Sequence, residues 1–172
     1  MRFDDVVASR RSIRKYLDKD VSFDDINTII ECGILAPSAH NRQPWKVKVV
    51  SGDEKERIAA SLMSKSDLDL SISNTANIIK EVPVLIVVYY DGDSEKRDHD
   101  ILSIGAFIEN MHLKATELGL GSLWIANTDY IKKEISEITG CDLECVSCLG
   151  IGYKNQDPKM RPRKSIEEIT VL

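Results

Sequence analysis

Two basic clusters and one polar loop hold the side chains best suited to chemistry. Arg10, Arg11, Ser12, Arg14 and Lys15 lie near the start of the chain, and Lys154, Lys159, Arg161, Arg163 and Lys164 lie near its end. A guanidinium grips a phosphate or carboxylate through two parallel N–H bonds, and a serine hydroxyl adds a neutral donor. The mixture suits an oxyanion, and two clusters at opposite ends of the sequence could share one. The plainer reading is a solvated charged face. The third stretch is Ala36-Pro37-Ser38-Ala39-His40-Asn41-Arg42-Gln43-Pro44-Trp45. It offers Ser38, His40, Asn41, Arg42 and Gln43 as donors or acceptors on a backbone stiffened at both ends by proline. A simple connection needs only one or two turn residues.

Other chemistries find less support. No nucleophile–base–acid set or pair of carboxylates stands out, and His40, His99 and His112 have no evident partners in the sequence, so each reads as a surface or core residue. Cys141, Cys145 and Cys148 invite a metal site. Residues 145 and 148 of one strand should point to opposite faces, however, and no fourth ligand is evident, so these thiols and Cys32 read as free and packed. The net charge of −5 argues against a nucleic-acid partner or an acidic membrane surface, which gives the basic clusters a local purpose. No apolar run matches a bilayer span, and Asp4 and Asp5 are followed by no signal-like apolar stretch. The expectation is a soluble cytoplasmic protein in which 1–172 forms one domain.

The positioning elements follow from periodicity. Residues 3–9 suit a short helix. Ser22 caps a helix over 23–35 whose Ile26, Ile29, Ile30, Gly33 and Ile34 share a face. Trp45, Val47 and Val49 alternate with Lys46, Lys48 and Val50 in a strand. A helix over 53–65 starts at Asp53, 64–73 is a polar flap, and 74–81 is a short helix. Residues 83–90 are apolar at every position, as in a central strand covered on both faces. The longest helix runs from Asp100 to Leu118 with a seam at Ile101, Ile104, Ile108, Met111, Ala115 and Leu118, and its further apolar residues suggest burial against a second copy of the chain. Gly119 stops it, Gly121 begins the turn, and 122–126 form a strand. Asn127 or Thr128 caps a helix through Thr139, and 145–153 form the last strand.

Taken together, Arg10-Arg11-Ser12-Ile13-Arg14, the loop 36–45, Gly119-Leu120-Gly121-Ser122-Leu123-Trp124, and Gly150-Ile151-Gly152-Tyr153 with Arg161 and Arg163 resemble the nitroreductase family of FMN-dependent oxidoreductases, in that family's order. The resemblance implies an α+β fold with a central, mostly antiparallel sheet flanked by helices, in an intertwined homodimer with FMN at the interface. It implies that Arg10, Ser12, Arg161 and Arg163 hold the FMN phosphate and nearby ribityl chain, that Arg11 also binds the cofactor, that Arg14 lies near the pyrimidine edge, and that Asn74 contacts the ring. Pro37, Ser38, Ala39 and Asn41 would reach onto the partner's cofactor, and Ile125, Ala126 and Asn127 would lie beside flavin N5. A cation at Arg14 would favour the negative charge of the reduced ring. The implied reaction passes hydride from NADH or NADPH through the flavin to a small nitroaromatic or quinone-like acceptor. Reductive dehalogenation, flavin fragmentation and a non-catalytic flavin store are the alternatives on the same fold. The family's long C-terminal arm is expected to be reduced to residues 166–172, and the short 64–73 and 91–99 segments suggest an open pocket.

Overall fold

The computed structural model describes residues 2–171. Among these the chain forms α1 (Phe3–Ser9), α2 (Phe23–Ile34), β1 (Trp45–Val50), α3 (Gly52–Met63), α4 (Leu70–Glu81), β2 (Val84–Tyr90), α5 (Arg97–Glu117), β3 (Gly121–Ile125), α6 (Lys132–Thr139), β4 (Glu144–Gly152) and α7 (Ile166–Ile169). The strands make one sheet in the order β1-β2-β4-β3, antiparallel at every pairing.

All seven residues of β2 are buried, and their alternation divides the core in two. Val84, Ile86, Val88 and Tyr90 face α2 and α5, where Ile26, Ile29, Ile104, Phe107, Ile108 and Met111 meet them. Leu85, Val87 and Tyr89 face α3, α4 and α6, packing with Ile58, Leu62, Ile72, Ile79 and Ile135. The sheet is therefore the middle layer of an α/β/α sandwich, and its central strand has no wet face.

Several boundaries differ from the sequence reading, each for a local reason. The third helix begins at Gly52, with Ser51 rather than Asp53 in the cap position. The proposed flap is shorter, because the Asp69 carboxylate accepts the Ser71 N–H at 2.6 Å and starts α4 at Leu70. That cap starts the helix four residues before the expected position and brings Ser71 into it. The residues Asn127–Ile131 form a 3-10 turn ahead of α6, with no side-chain cap. Gly121 is the first residue of β3 rather than a turn residue. In β1, whose pairing with β2 is unbroken, Val49 on the Trp45 face is exposed and Val50 on the Lys48 face is buried. Ile34, Leu102 and Leu118 are exposed in the single chain, although helical spacing put Ile34 and Leu118 on apolar faces. Leu172, the last residue of the expected arm, lies outside the described residues.

Cys145 and Cys148 do not point to opposite faces of their strand. Tyr89 pairs with Cys145 but Val88 pairs with Ser147, so Val146 is an extra residue in β4. This bulge resets the alternation. Cys145 and Cys148 consequently lie in the same buried cluster, on the α3/α4/α6 side, rather than on opposite faces. Both are free thiols, and hydrogen bonding with Cys145, then burial, pushes the Cys148 thiol well above its ordinary range. Among the described residues, no group of His, Cys, Asp or Glu side chains is arranged to hold a metal ion. No helix there is long and apolar enough to cross a membrane.

Candidate functional site

The segment after α1 is extended and is fastened to the sheet by the apolar residues between its cations. Ile13 and Tyr16 are buried with Val82, each side chain worth about 1.5–3 kcal/mol of burial. The Ile13 N–H donates to Ser122 O at 2.9 Å, Leu17 N–H donates to Tyr153 O at 2.9 Å, and Lys15 O accepts from Asn155 N–H at 2.9 Å. Two glycines make this approach possible. A Cβ on Gly121 would lie 2.8 Å from Ile13, and one on Gly152 would lie 2.5 Å from Pro83 and 2.8 Å from Tyr16. With Ile13 and Tyr16 turned inward, the basic side chains line a cleft.

The cleft has a volume of about 230 Å³ and is lined by Arg10, Arg11, Ser12, Arg14, Pro158, Lys159, Arg161 and Arg163. The two basic clusters, far apart in sequence, thus share one concavity. Arg10 alone among its cations has a carboxylate within ion-pair distance among the described residues, Glu109 at 3.5 Å. Six cations converging with one ion-paired carboxylate among the described residues, in a chain of net charge −5, form a local positive field that an anion would relieve. Arg11 adds a more local sign. Its Nη1 donates to Ala8 O and Arg10 O at 2.7 and 2.8 Å, while its Nε is the one buried side-chain polar atom without a hydrogen-bond partner among the described residues. Such a group costs about 1–3 kcal/mol until a partner arrives.

Arg14 also lines a second, larger cavity of about 570 Å³ with Ser71, Asn74, Thr75, Ile78 and the run Leu123–Asn127. Apart from Arg14, the walls here are neutral. Helix α4 presents hydroxyl and amide groups, and the end of β3 presents backbone. The two are tied together by Asn127, whose Nδ2 donates to Ser71 Oγ at 2.9 Å and Thr75 Oγ1 at 3.1 Å. The far end of α4 is held by Lys55, whose buried ammonium donates to Lys80 O at 2.6 Å and Val82 O at 2.8 Å. Burial lowers the Lys55 pKa, and these two carbonyl contacts accept bonds from its charged form.

The structure therefore gathers Arg10, Arg11, Ser12, Arg14, Arg161 and Arg163 at one cleft, and Arg14, Asn74, Ile125 and Ala126 at the adjoining cavity. It does not bring Pro37, Ser38, Ala39 and Asn41 to either within the single chain. That loop is fixed near the start of α5. Arg42 donates from Nε and Nη2 to Asp100 Oδ1 at 2.9 and 2.7 Å, and Tyr90 Oη donates to Asp100 Oδ2 at 3.2 Å. Asp100 is fully buried but is fully paired, as a buried carboxylate requires. Ser38 Oγ accepts from Gln43 N–H at 3.0 Å, and His40, Asn41 and Gln43 adopt φ of 53°, 55° and 49°, a left-handed conformation uncommon outside glycine. Trp45 anchors the exit, stacked on Phe107 with centroids 4.8 Å apart.

Sequence reasoning missed one residue behind the cleft. His112, on α5, is 2% exposed and lies between Arg10 Nη1, 3.3 Å from its Nε2, and Ser122 Oγ, in short contact with its Nδ1. Burial, then the nearby Arg10 charge, lowers its pKa to about 4. Arg10 is 102 residues away in sequence, so no local pattern could have signalled the pair.

The family model described as Nitroreductase family matches residues 7–153. The Bacillus subtilis (strain 168) protein named "Putative NAD(P)H nitroreductase YfhC" is 28% identical over 95% of this chain and 90% of its own length. A protein of Archaeoglobus fulgidus named "Putative NADH dehydrogenase/NAD(P)H nitroreductase" is 30% identical over 88% of this chain and 85% of its own. Among solved structures, one described as "a putative nitroreductase in complex with fmn", from Desulfovibrio desulfuricans, superimposes with a TM-score of 0.86 at 25% identity, covering 100% of this chain and 96% of that one.

Proposed function

From the premise that the chain belongs to the nitroreductase family, we propose that it is an FMN-dependent oxidoreductase that takes hydride from NADH or NADPH and passes it to a nitroaromatic or quinone-like acceptor. The observation that carries this reading is the junction of two unlike cavities at Arg14: a six-cation cleft suited to a phosphate opens beside a neutral cavity large enough for a ring system. FMN, when bound, supplies the hydride exchange itself. Arg10, Arg11, Ser12, Arg161 and Arg163 hold its phosphate, with the orphaned Arg11 Nε as one donor. Asn74 orients the ring, and the Ile125–Ala126 backbone borders its reactive edge. A guanidinium is a fixed positive charge with donors only, so Arg14 favours added negative charge on the ring without serving as an acid.

The same reading assigns the loop 36–45 to a second subunit. Asp100, which anchors the loop, and His112, which touches Arg10, are separated by about 18 Å along α5 at 1.5 Å per residue, so the loop is remote from its own cleft. In a homodimer Pro37, Ser38, Ala39 and Asn41 complete the partner's site, and apolar groups such as Leu102 and Leu118 become covered. The visible spectrum of the purified protein, followed by anaerobic titration with NADH and NADPH, tests the proposal. A flavin spectrum bleached by either donor and restored by a nitroaromatic or quinone supports it. Protein that stays colourless after FMN is added refutes it.

A further inference from the structure

We infer that His112 is a positioning residue of the anion cleft: a neutral imidazole that accepts a hydrogen bond from Arg10 and holds that guanidinium toward a bound phosphate. This rests on the FMN reading above. The chemistry of the contact dictates the proton's place. A guanidinium has donors and no acceptor, so His112 Nε2, 3.3 Å from Arg10 Nη1, must present its lone pair. The neutral ring then carries its proton on Nδ1, where Ser122 Oγ accepts it. Burial keeps the ring neutral, as its lowered pKa also indicates.

This arrangement supports more than one group of the cleft. Ser122 O accepts from Ile13 N–H at 2.9 Å, and Ser12 pairs with Ser122 in an isolated bridge. The residue that fixes the imidazole therefore also fixes the backbone carrying Ser12. On the other side, Glu109 Oε1 lies 3.5 Å from Arg10 Nε. With Nε and Nη1 held from α5, Arg10 has its Nη2 amino group for a ligand. A histidine that merely fills the core would affect stability and every ligand alike, whereas a positioning residue affects the phosphate selectively.

FMN and riboflavin differ by that phosphate, so their dissociation constants from the apoprotein separate the two roles. Flavin fluorescence quenching near neutral pH, with thermal unfolding of each variant alongside, gives the measurement. For H112L we expect FMN affinity to fall by about tenfold or more while riboflavin affinity stays within about twofold, the size of a lost hydrogen bond to a charged group. H112Q, which keeps a carbonyl acceptor facing Arg10, should retain the FMN-to-riboflavin ratio within about twofold. An unchanged ratio in H112L, or equal weakening of both ligands, overturns the inference. Should H112L fail to fold, S122A decides: loosening the imidazole should lower the ratio by about threefold, and an unchanged ratio overturns it. Wild-type protein that binds FMN no better than riboflavin removes the phosphate reading itself, and does so before any variant is made.

Discussion

The cleft and the neutral cavity meet at Arg14 yet are built on opposite principles. The cleft is a concentration of charge on extended chain, held by the buried Ile13 and Tyr16 and lined by side chains that carry their function in their type. The cavity is a matter of placement: the start of α4, the end of β3 and one asparagine set its walls, and few of its residues are individually distinctive. Charge can be recognised before the fold is known. Placement cannot.

Four experiments test this contrast. Acid should act on the cleft alone, because its rear wall contains His112 whereas the lining of the neutral cavity has only Arg14 as an ionisable group. His112 titrates at about 4 in the folded chain against 6.5 unfolded. The unfolded chain takes up the proton first, so the stability due to neutral His112 is complete above about pH 6.5 and falls by about 3 kcal/mol as pH drops to about 4. Urea unfolding of the apoprotein across that range should show this slope in wild type and lack it in H112Q.

Reversing charge at both Arg161 and Arg163 to Glu should weaken FMN binding by about a hundredfold, near 2.7 kcal/mol, with riboflavin little changed. High salt should narrow the same difference. Equal weakening of both flavins would mean that the cleft does not hold the phosphate. G121A should cost about 2 kcal/mol of stability, since its Cβ meets Ile13 at 2.8 Å. It should also reduce FMN affinity more than riboflavin affinity by displacing the basic segment. The smallest effect belongs to the neutral cavity. N127L, which removes the links to Ser71 and Thr75, should cost about 1 kcal/mol in thermal unfolding. It should change KM for the electron acceptor while leaving the FMN-to-riboflavin ratio intact.

What could be read in the sequence follows the same division. Arg10, Arg11, Arg14, Arg161 and Arg163 stand out as charges out of keeping with an acidic chain, with Ser12 set among them, and the apolar run of β2 announces a strand covered on both faces. Asn74 and Ile125 were reached through family resemblance, because neither type states a role. Ser71 gives no sign of its place in the sequence, because the Asp69 cap that brings it into α4 lies within a run of polar residues. The α4 stripe of Ile72, Ala76 and Ile79 is buried, but serines and an asparagine between them mask the period. His112 and Asp100 were missed because their partners lie on other elements, and only tertiary packing shows that one is neutral and the other paired.

The bulge at Val146 bears on how the chain could change by deletion. Because of that extra residue, Cys145 and Cys148 share one buried cluster, while Ser147 reaches Trp124 Nε1 and Ile125 O, both at 2.8 Å. Deleting Val146 would leave Cys145 opposite Tyr89 and Ser147 opposite Val88 in a plain ladder, with every flanking side chain still on its own layer. Deleting Leu149 instead would turn one flank of β4 over to the opposite layer. The bulge should therefore tolerate the loss of a residue that the regular ladder beside it cannot, a difference that substitution scanning would overlook and single-residue deletion would expose.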